Sequence, residues 1–361
     1  MTRTHPYAAL PDSAYWRRAV AEAPLGPDLV APDFLRLTPD DRIATAGSCF
    51  AQHIGRHLAA AGFGYLVTEA AHPIVPADLA REAGYGLFTA RYGNIYTTLQ
   101  LLQLVERAYG RFHPVEAVWE AADGSLVDPC RPTIQPGGFG SVAELEADRA
   151  QHLACVREAL ETLDVFVFTL GLTEAWVSAR DGAAFPLCPG VAGGRFDPAL
   201  HRFHNLRAGE VREQLGGFIE RLRAVNPRAR VLLTVSPVPL TATAAGGHVL
   251  AATTYSKAVL RVAAQEAADE LAGVHYFPSY EIVTGPQAQG RFYADNLREV
   301  TPAGVAQVMA IFLQAVAGVA APEPADLPDL RPAADPSLAA AAGWVEAMCD
   351  EAMLDRPAAR G

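Results

Sequence analysis

Residues 42–51 read RIATAGSCFA and join an apolar run to the start of a helical pattern. The run over 42–46 predicts a β-strand, and the residues after the turn predict a helix over 50–62. Between them, Gly47 permits a sharp turn because it has no side chain. This geometry places Cys49 at the N-terminal end of a helix, where the helix dipole favours the reactive thiolate. A turn of small residues chosen for packing explains the same pattern equally well.

The rest of the chain continues the alternation of strands and helices. Further strands are predicted over 164–170, 230–235 and 274–278. Further helices are predicted over 95–109, 142–162, 208–224, 254–272 and 302–317. Such alternation implies an α/β fold with right-handed crossovers and a mostly parallel sheet. Because ligands bind at the carboxyl ends of such strands, the residues that follow each strand are the candidates for a site.

Segments outside this pattern divide the chain into a core and its additions. Residues 1–30 are predicted to form an N-terminal extension, residues 31–318 the core domain, and residues 319–361 an Ala- and Pro-rich tail. Within the core, residues 111–140 predict a hairpin-bearing insertion and residues 183–206 predict a long loop. Long loops inside a compact domain commonly act as lids or binding loops.

Charge and composition exclude several classes of partner. The chain has 361 residues, of which 29 are basic and 40 acidic, and its net charge is −11. This balance disfavours nucleic acid and anionic membrane surfaces as partners. The sequence has neither a long apolar run nor a signal-peptide pattern, so we expect no membrane span and a cytoplasmic location. The irregularly spaced cysteines fit reduced thiols better than a disulfide framework; they stand at positions 49, 130, 155, 188 and 349.

The segments that follow the predicted strands resemble a known family. GSCFA at 47–51, RYGNIYT at 91–97, GLTE at 171–174 and YADNLREVT at 293–301 occur in that order. Further similar segments are 169–176, 233–238, 255–257 and 276–282. Together they resemble the GSCFA family, which is similar to the SGNH superfamily of hydrolases and acyltransferases. The resemblance covers roughly residues 30–318. It implies a flavodoxin-like, three-layer α/β/α fold with loop insertions, and acyl-ester chemistry, often on glycans.

The resemblance also implies a nucleophile. SGNH enzymes begin with Gly-Asp-Ser, whose serine is the nucleophile. Laid on residues 47–49, this pattern places the nucleophile at Cys49, and Ser48 is the alternative if the turn is offset by one residue. A thiolate is a competent acyl acceptor, so the exchange of serine for cysteine is chemically reasonable.

Oxyanion donors and a substrate-binding residue follow from the same comparison. The donors would be the backbone N–H of Cys49, Gly93 or Asn94, and Thr173. Thr173 and Glu174 stand where SGNH enzymes have Asn-Asp, so Glu174 would bind substrate or orient an imidazole.

The base expected from the resemblance is missing. SGNH enzymes end with Asp-x-x-His, but the matching residues here are Asp295 and, three positions later, Arg298. Arginine stays protonated and cannot accept a proton. Arg298 would instead bind a carboxylate, phosphate or sulfate on the substrate, or pair with Asp295 or Glu299 in a structural bridge.

Histidines elsewhere are candidates for the base. His204 and His248 lie in loops predicted at the carboxyl side of the strands. His53 lies one helical turn after Cys49 and would either lower the pKa of the thiol or be a half-buried helix residue. Cys188 with His201 and His204 lacks the spacing of a zinc site, so we predict no metal.

The sequence therefore predicts an SGNH-like acyl-ester enzyme that acts through Cys49 or Ser48. It would be an esterase or an O-acyltransferase for O-acetyl groups on a glycan or small molecule. No cofactor is required, although acyl-CoA would suit a transferase as donor. The alternative is a catalytically silent domain on the same fold that binds a glycan or a partner, which Arg298 in the base position favours.

Overall fold

The protein is built around a parallel sheet with helices on both faces. A computed structural model describes residues 5–31, 34–319 and 353–354. The strands in these residues are β1 (Arg42–Gly47), β2 (Gly64–Tyr65), β3 (Trp119–Glu120), β4 (Leu126–Val127), β5 (Val165–Leu170), β6 (Glu174–Ser178), β7 (Ala184–Phe185), β8 (His201–Asn205), β9 (Arg230–Val235) and β10 (Val274–Phe277). The helices are α1 (Phe50–Ala60), α2 (Ala77–Glu82), α3 (Thr98–Ala108), α4 (Val142–Thr162), α5 (Ala208–Val225), α6 (Val249–Glu270), α7 (Ser279–Thr284) and α8 (Pro302–Ala317).

The central sheet has the strand order of flavodoxin-like folds. In the described chain it contains five strands in the order β10-β9-β5-β1-β2, and each neighbouring pair is parallel. The predicted strands are confirmed as β1, β5, β9 and β10. Counted along the chain, this order is 2-1-3-4-5, so the direction of the crossovers reverses between β1 and β5. The carboxyl ends of these two strands are therefore where a ligand is expected to bind.

Alternate side chains of the strands face two separate helical layers. Ile43 and Val165 face the layer of α1, α7 and α8, whereas Ala44 and Phe166 face the layer of α3, α4, α5 and α6. This alternation follows from the two-residue period of a strand. It confirms the predicted three-layer α/β/α fold.

Two regions lie outside the alternation of strands and helices, and only one of them matches its prediction. The hairpin predicted in the insertion is present as β3 and β4, with Trp119 opposite Val127. The loop predicted over 183–206 is wrong, because it contains β7 and β8, which pair antiparallel with β6. These strands were missed because β8 reads His-Arg-Phe-His-Asn and has no alternation of apolar and polar residues.

Helix caps explain the two helices whose starts differ most from the prediction. Helix α3 begins at Thr98 because Thr97 and Gln100 form a capping box. Helix α6 begins at Val249, five residues earlier than predicted, because the His248 side chain accepts a hydrogen bond from Leu250 N.

No helix in the described part of the chain combines the length and the hydropathy that a membrane span requires. Most of the tail predicted over 319–361 lies outside the described residues.

The ends of β1 and β5 approach each other closely at Gly47. Gly47 lies opposite Thr169 in the strand register, and its φ is +137°. A Cβ at position 47 would overlap the Thr169 carbonyl oxygen and lie 2.8 Å from the Thr169 Cβ. Glycine is therefore required both for the backbone conformation and for the space.

Gly47→Ala should destabilise the protein far more than Gly62→Ala, which is the matched control. Gly62 also has a positive φ, of +82°, but no atom lies within 4 Å of a Cβ built there. Both substitutions strain the backbone, and only the first adds a clash. We expect the free energy of unfolding in urea to fall by at least about 2 kcal/mol more for Gly47→Ala. Equal losses would show that β1 and β5 can separate without cost.

A buried network of charges holds the segment that precedes α3. Arg91 donates from Nη1 to Asp148 Oδ1 at 2.7 Å, and its backbone N–H donates to Glu69 Oε2 at 2.7 Å. Arg131, from the insertion, donates to Asp148 Oδ2 at 2.7 Å and to Asp128 Oδ2 at 3.1 Å. Removing one partner of such a buried pair leaves an uncompensated buried charge, which strongly destabilises the folded protein. The insertion thus ties the segment around Arg91 to α4.

His152 completes this network as a neutral imidazole. Its Nδ1–H donates to Glu69 Oε2 at 2.8 Å, and its side chain is fully buried. Burial, followed by the charge of Arg131, lowers the pKa of His152 to about 4 despite the opposing effect of Glu69. Because the unfolded chain binds this proton near pH 6.5, the favourable contribution of His152 is present above pH 6.5 and is lost as the pH falls towards 4.

His152→Asn should remove part of the acid sensitivity of the fold. The asparagine amide can still donate to Glu69, but it does not titrate. Between pH 7 and pH 4.5 we expect the parent to lose about 2 kcal/mol more unfolding free energy than the variant. Urea unfolding across this pH range measures the difference, and titration of the other histidines cancels in it. Parallel pH profiles would contradict a buried, neutral His152.

Candidate functional site

The candidate site lies where β1 and β5 end. Ser48 and Cys49 follow β1, and Gly171 follows β5. The segment before α3 crosses between them: Ile95 N donates to Gly47 O at 2.9 Å, and Gly171 N donates to Tyr96 O at 3.1 Å. Three chain segments that are distant in sequence therefore meet through backbone hydrogen bonds at the point where the strand order reverses.

The two candidate nucleophiles differ in exposure. Ser48 is buried, and its Oγ has no hydrogen-bond partner among the described residues. A Cβ built on Gly171 would lie 3.4 Å from the Ser48 Cβ, so Ser48 packs against the end of β5. Cys49 is half-buried and occupies the N-cap position of α1. The more accessible of the two is Cys49, at the end of the helix where the dipole favours an anion.

The predicted donors Gly93 and Asn94 line a cavity of about 150 Å³. Its wall also includes Gln52, which is in the first turn of α1, three residues after Cys49. Arg81, Glu82 and Thr133 complete the polar part of the lining. Gly93 has a φ of +68°, which shapes the turn that brings Asn94 to this wall. The cavity therefore joins the first turn of α1 to the segment that the buried charges hold.

The hydrogen-bond donors of Thr173, predicted to bind an oxyanion, are already bound to other residues of the protein. Its backbone N–H donates to Ser256 Oγ at 2.9 Å, and its Oγ1 donates to Asn205 Oδ1 at 2.6 Å. Both of its donors are thus engaged in holding the turn after β5, which does not favour the predicted role. Glu174 accepts hydrogen bonds from Thr243 Oγ1 at 2.5 Å and Ala244 N at 3.2 Å, so it holds the loop before α6.

The two loop histidines also have local partners. His204 lies in β8, and its Nε2 is 2.9 Å from Glu210 Oε1. The next residue, Asn205, points towards Thr173, and successive side chains of a strand face opposite ways. His204 therefore faces away from the turn after β5. His248 is exposed and caps α6, so neither arrangement supports the role of a base.

His53 carries no charge near neutral pH. Burial, followed by the charges of Arg56 and His57, lowers its pKa to about 3. Its ring packs edge-on against Phe50, with 5.8 Å between the ring centroids. A neutral imidazole adds no positive charge beside Cys49, so the hypothesis that its charge promotes the thiolate is not supported.

The Asp295 loop lies on the same edge of the sheet as the turn after β1. Tyr293 Oη donates to Pro237 O at 2.7 Å, which fixes the loop beside the end of β9. Asn296 Oδ1 accepts hydrogen bonds from the backbone N–H groups of Arg298 and Glu299, both at 3.0 Å. Asp295 is exposed and Arg298 is half-buried.

Sequence reasoning missed a buried lysine at this edge. Lys257 is 2% exposed, and its Nζ donates to Gly171 O at 2.5 Å. The neighbouring Ser256 accepts the bond from Thr173 N. Both residues belong to the segment 255–257. This segment contributed to the family resemblance, but the sequence suggested no role for it. The resemblance of this segment was therefore visible in the sequence, but only the fold shows that α6 is hydrogen-bonded to the turn after β5.

Comparisons with known proteins bear on this architecture. No curated protein and no solved structure matches the chain. The model of the GSCFA family matches residues 42–312, which include every strand of the central sheet and the candidate site. The chain belongs to the GSCFA family.

Proposed function

We propose that the protein is an acyl-ester enzyme with Cys49 as its nucleophile. The observation that carries the proposal is the position of Cys49, which is half-buried at the N-terminus of α1 where β1 and β5 end. The cavity lined by Gln52, Gly93 and Asn94 reaches the first turn of α1, three residues after Cys49, and is the proposed binding place of the acyl substrate.

Two departures from the SGNH pattern support a thiolate mechanism when they are taken together. Arg298 stands where the base is expected and cannot accept a proton. A serine hydroxyl depends on a base for activation, whereas a thiol is partly ionised near neutral pH without one. Cysteine as nucleophile therefore reduces the need for the histidine that the chain lacks at this position.

The chemistry proceeds in two balanced steps. The Cys49 thiol first loses its proton to solvent. The thiolate attacks the acyl carbonyl carbon, the carbon–oxygen bond to the alcohol breaks, and the departing alkoxide takes a proton from water. In this proposal the backbone N–H of Cys49 and Asn94 stabilise the oxyanion. Water or a sugar hydroxyl then attacks the thioester carbonyl, loses its proton to solvent, and the carbon–sulfur bond breaks to release the Cys49 thiolate.

The choice of acceptor separates an esterase from an O-acyltransferase. We propose O-acetyl groups on a glycan or small molecule as the substrate class, with acyl-CoA as the donor in the transferase. A thioester donor exchanges readily with a protein thiolate, which favours transfer. A catalytic thiol must remain reduced, and we therefore propose a cytoplasmic location.

A silent binding domain on the same fold is the second candidate. It is favoured by the structural partners of Thr173, Glu174, His204 and His248, which leave the turn at Cys49 as the main feature in common with SGNH enzymes.

Cys49→Ala should abolish covalent acylation. We expect an acetyl adduct on the parent after incubation with p-nitrophenyl acetate or acetyl-CoA, mapped to Cys49 by mass spectrometry and absent from the variant. Cys188→Ala is the matched control and should retain the adduct, because burial raises the pKa of the Cys188 thiol to about 11. Undiminished turnover in Cys49→Ala would move the nucleophile to Ser48 or elsewhere. No adduct and no turnover with either donor would favour the binding domain.

His204→Ala and His248→Ala should each leave acetyl ester turnover within about threefold of the parent. Removal of a true general base costs about one hundredfold or more, and both histidines have local partners instead. The measurement is kcat/KM with p-nitrophenyl acetate, with a thermal unfolding control because His248 caps α6 and its loss costs about 1 kcal/mol. A hundredfold loss in either variant would identify that histidine as the base.

A further inference from the structure

A second cavity lies away from the candidate active site, between the insertion and helices α3 and α4. Its volume is about 140 Å³, and its wall includes Arg107 near the end of α3, His113 and Glu116 before β3, Cys130 after β4, and Arg149 of α4. A cavity of this size holds a ligand of a few non-hydrogen atoms. The mechanism proposed for Cys49 makes no use of it.

Arg107 is buried in this wall and interacts electrostatically with Asp128, which lines the same cavity, but it forms no hydrogen bond with it. The residue is 8% exposed, and among the described residues no hydrogen bond or ion pair of its guanidinium is found. Buried charges are normally paired, because an isolated charge in an apolar environment is very costly. Arg107 therefore requires either water or an anion in the adjoining cavity.

The nearby carboxylates are hydrogen-bonded by arginines other than Arg107. Arg91 and Arg131 share Asp148, while Arg131 and Arg149 share Asp128. Burial alone would raise the pKa of Asp128, but the charges of Arg131, Arg107 and Arg149 outweigh it and lower that pKa. Asp128 is thus ionised and lines the same cavity, but its hydrogen bonds come from Arg131 and Arg149, so the N–H donors of Arg107 remain available to a ligand in the cavity.

Glu116 restricts the kind of anion that fits. Its carboxylate lines the same cavity and accepts hydrogen bonds from His201 Nε2 and Trp119 Nε1, each at 3.1 Å. His201 Nδ1 accepts a bond from Asp197 N, so it is Nε2 of the same ring that faces the Glu116 carboxylate. A dianion such as phosphate would be repelled by this carboxylate, whereas a monoanion with a nearby hydroxyl would suit both groups.

We propose that this cavity binds a small monocarboxylate, with its carboxylate on the Arg107 guanidinium. The planar guanidinium offers parallel N–H donors that match a carboxylate. A hydroxyl next to the carboxylate donates to Glu116. The site is independent of the activity proposed for Cys49.

Thermal unfolding of the full chain tests the site, with glycolate and acetate as probes. Chloride is replaced by each probe at constant ionic strength, and phosphate is the dianion comparator. We expect a saturable rise in Tm for the parent and for Arg202→Met, the matched control that removes an exposed arginine. In Arg107→Met the apparent affinity should fall at least about tenfold. Equal responses in all three proteins, or a response to phosphate alone, would overturn the proposal.

A second measurement on the parent does not depend on how the variant folds. Cys130 lines the cavity, so glycolate should slow its alkylation by iodoacetamide, as followed by peptide mass spectrometry. Cys188, which is half-buried elsewhere, should react at an unchanged rate. A Cys130 rate that does not respond to glycolate would overturn the proposal.

Discussion

The close approach of β1 and β5 at Gly47 and Thr169 is the constraint on which the candidate site depends. Since the Thr169 carbonyl fills the space of a side chain at position 47, the chain leaves β1 over the end of β5 and enters α1 immediately. The Gly47 carbonyl then binds Ile95 N, and the Tyr96 carbonyl binds Gly171 N. The contact between Gly47 and Thr169 thus helps to set the positions of the turn at Cys49, the segment before α3 that contains Asn94, and the turn after β5.

The segment around Arg91 has no regular secondary structure, so side-chain hydrogen bonds hold it in place. They come from Glu69, Asp148 and Arg131, which lie in three separate parts of the chain. Arg131 comes from the insertion, so the insertion supports the site from behind. A buried charge network is costly to desolvate, but it is directional, and it can hold an irregular backbone in one conformation. In the same cluster Arg107 shares the charge of Asp128 with Arg131 and Arg149, which alone hydrogen-bond to it.

The sequence was most informative where the relevant residues are neighbours in the chain. The strands β1, β5 and β9 were predictable because strands buried on both faces are continuous apolar runs. The strands β6 and β8 were not, because their polar residues are specified by pairing with each other. The turn at Cys49 is contiguous and was found. By contrast, Glu69, Arg91, Asp128 and His152 are types that are mostly exposed in proteins, and only the fold reveals that they are buried together.

The chain has Arg298 at the position where the resemblance to SGNH enzymes implies a histidine base. The effect of this replacement on activity depends on which residue is the nucleophile. With a serine, loss of the base would leave a hydroxyl that ionises only at high pH, and the domain would be silent. With Cys49, a fraction of thiolate exists without a base, and acylation of the thiol remains feasible. Deacylation is then the demanding step, because water attacks a thioester slowly unless it is activated. In the proposed transferase, a sugar hydroxyl bound in the cavity would gain from proximity what it lacks in activation. A cysteine nucleophile without a histidine base would therefore suit the proposed transfer of an acyl group between two bound partners better than hydrolysis.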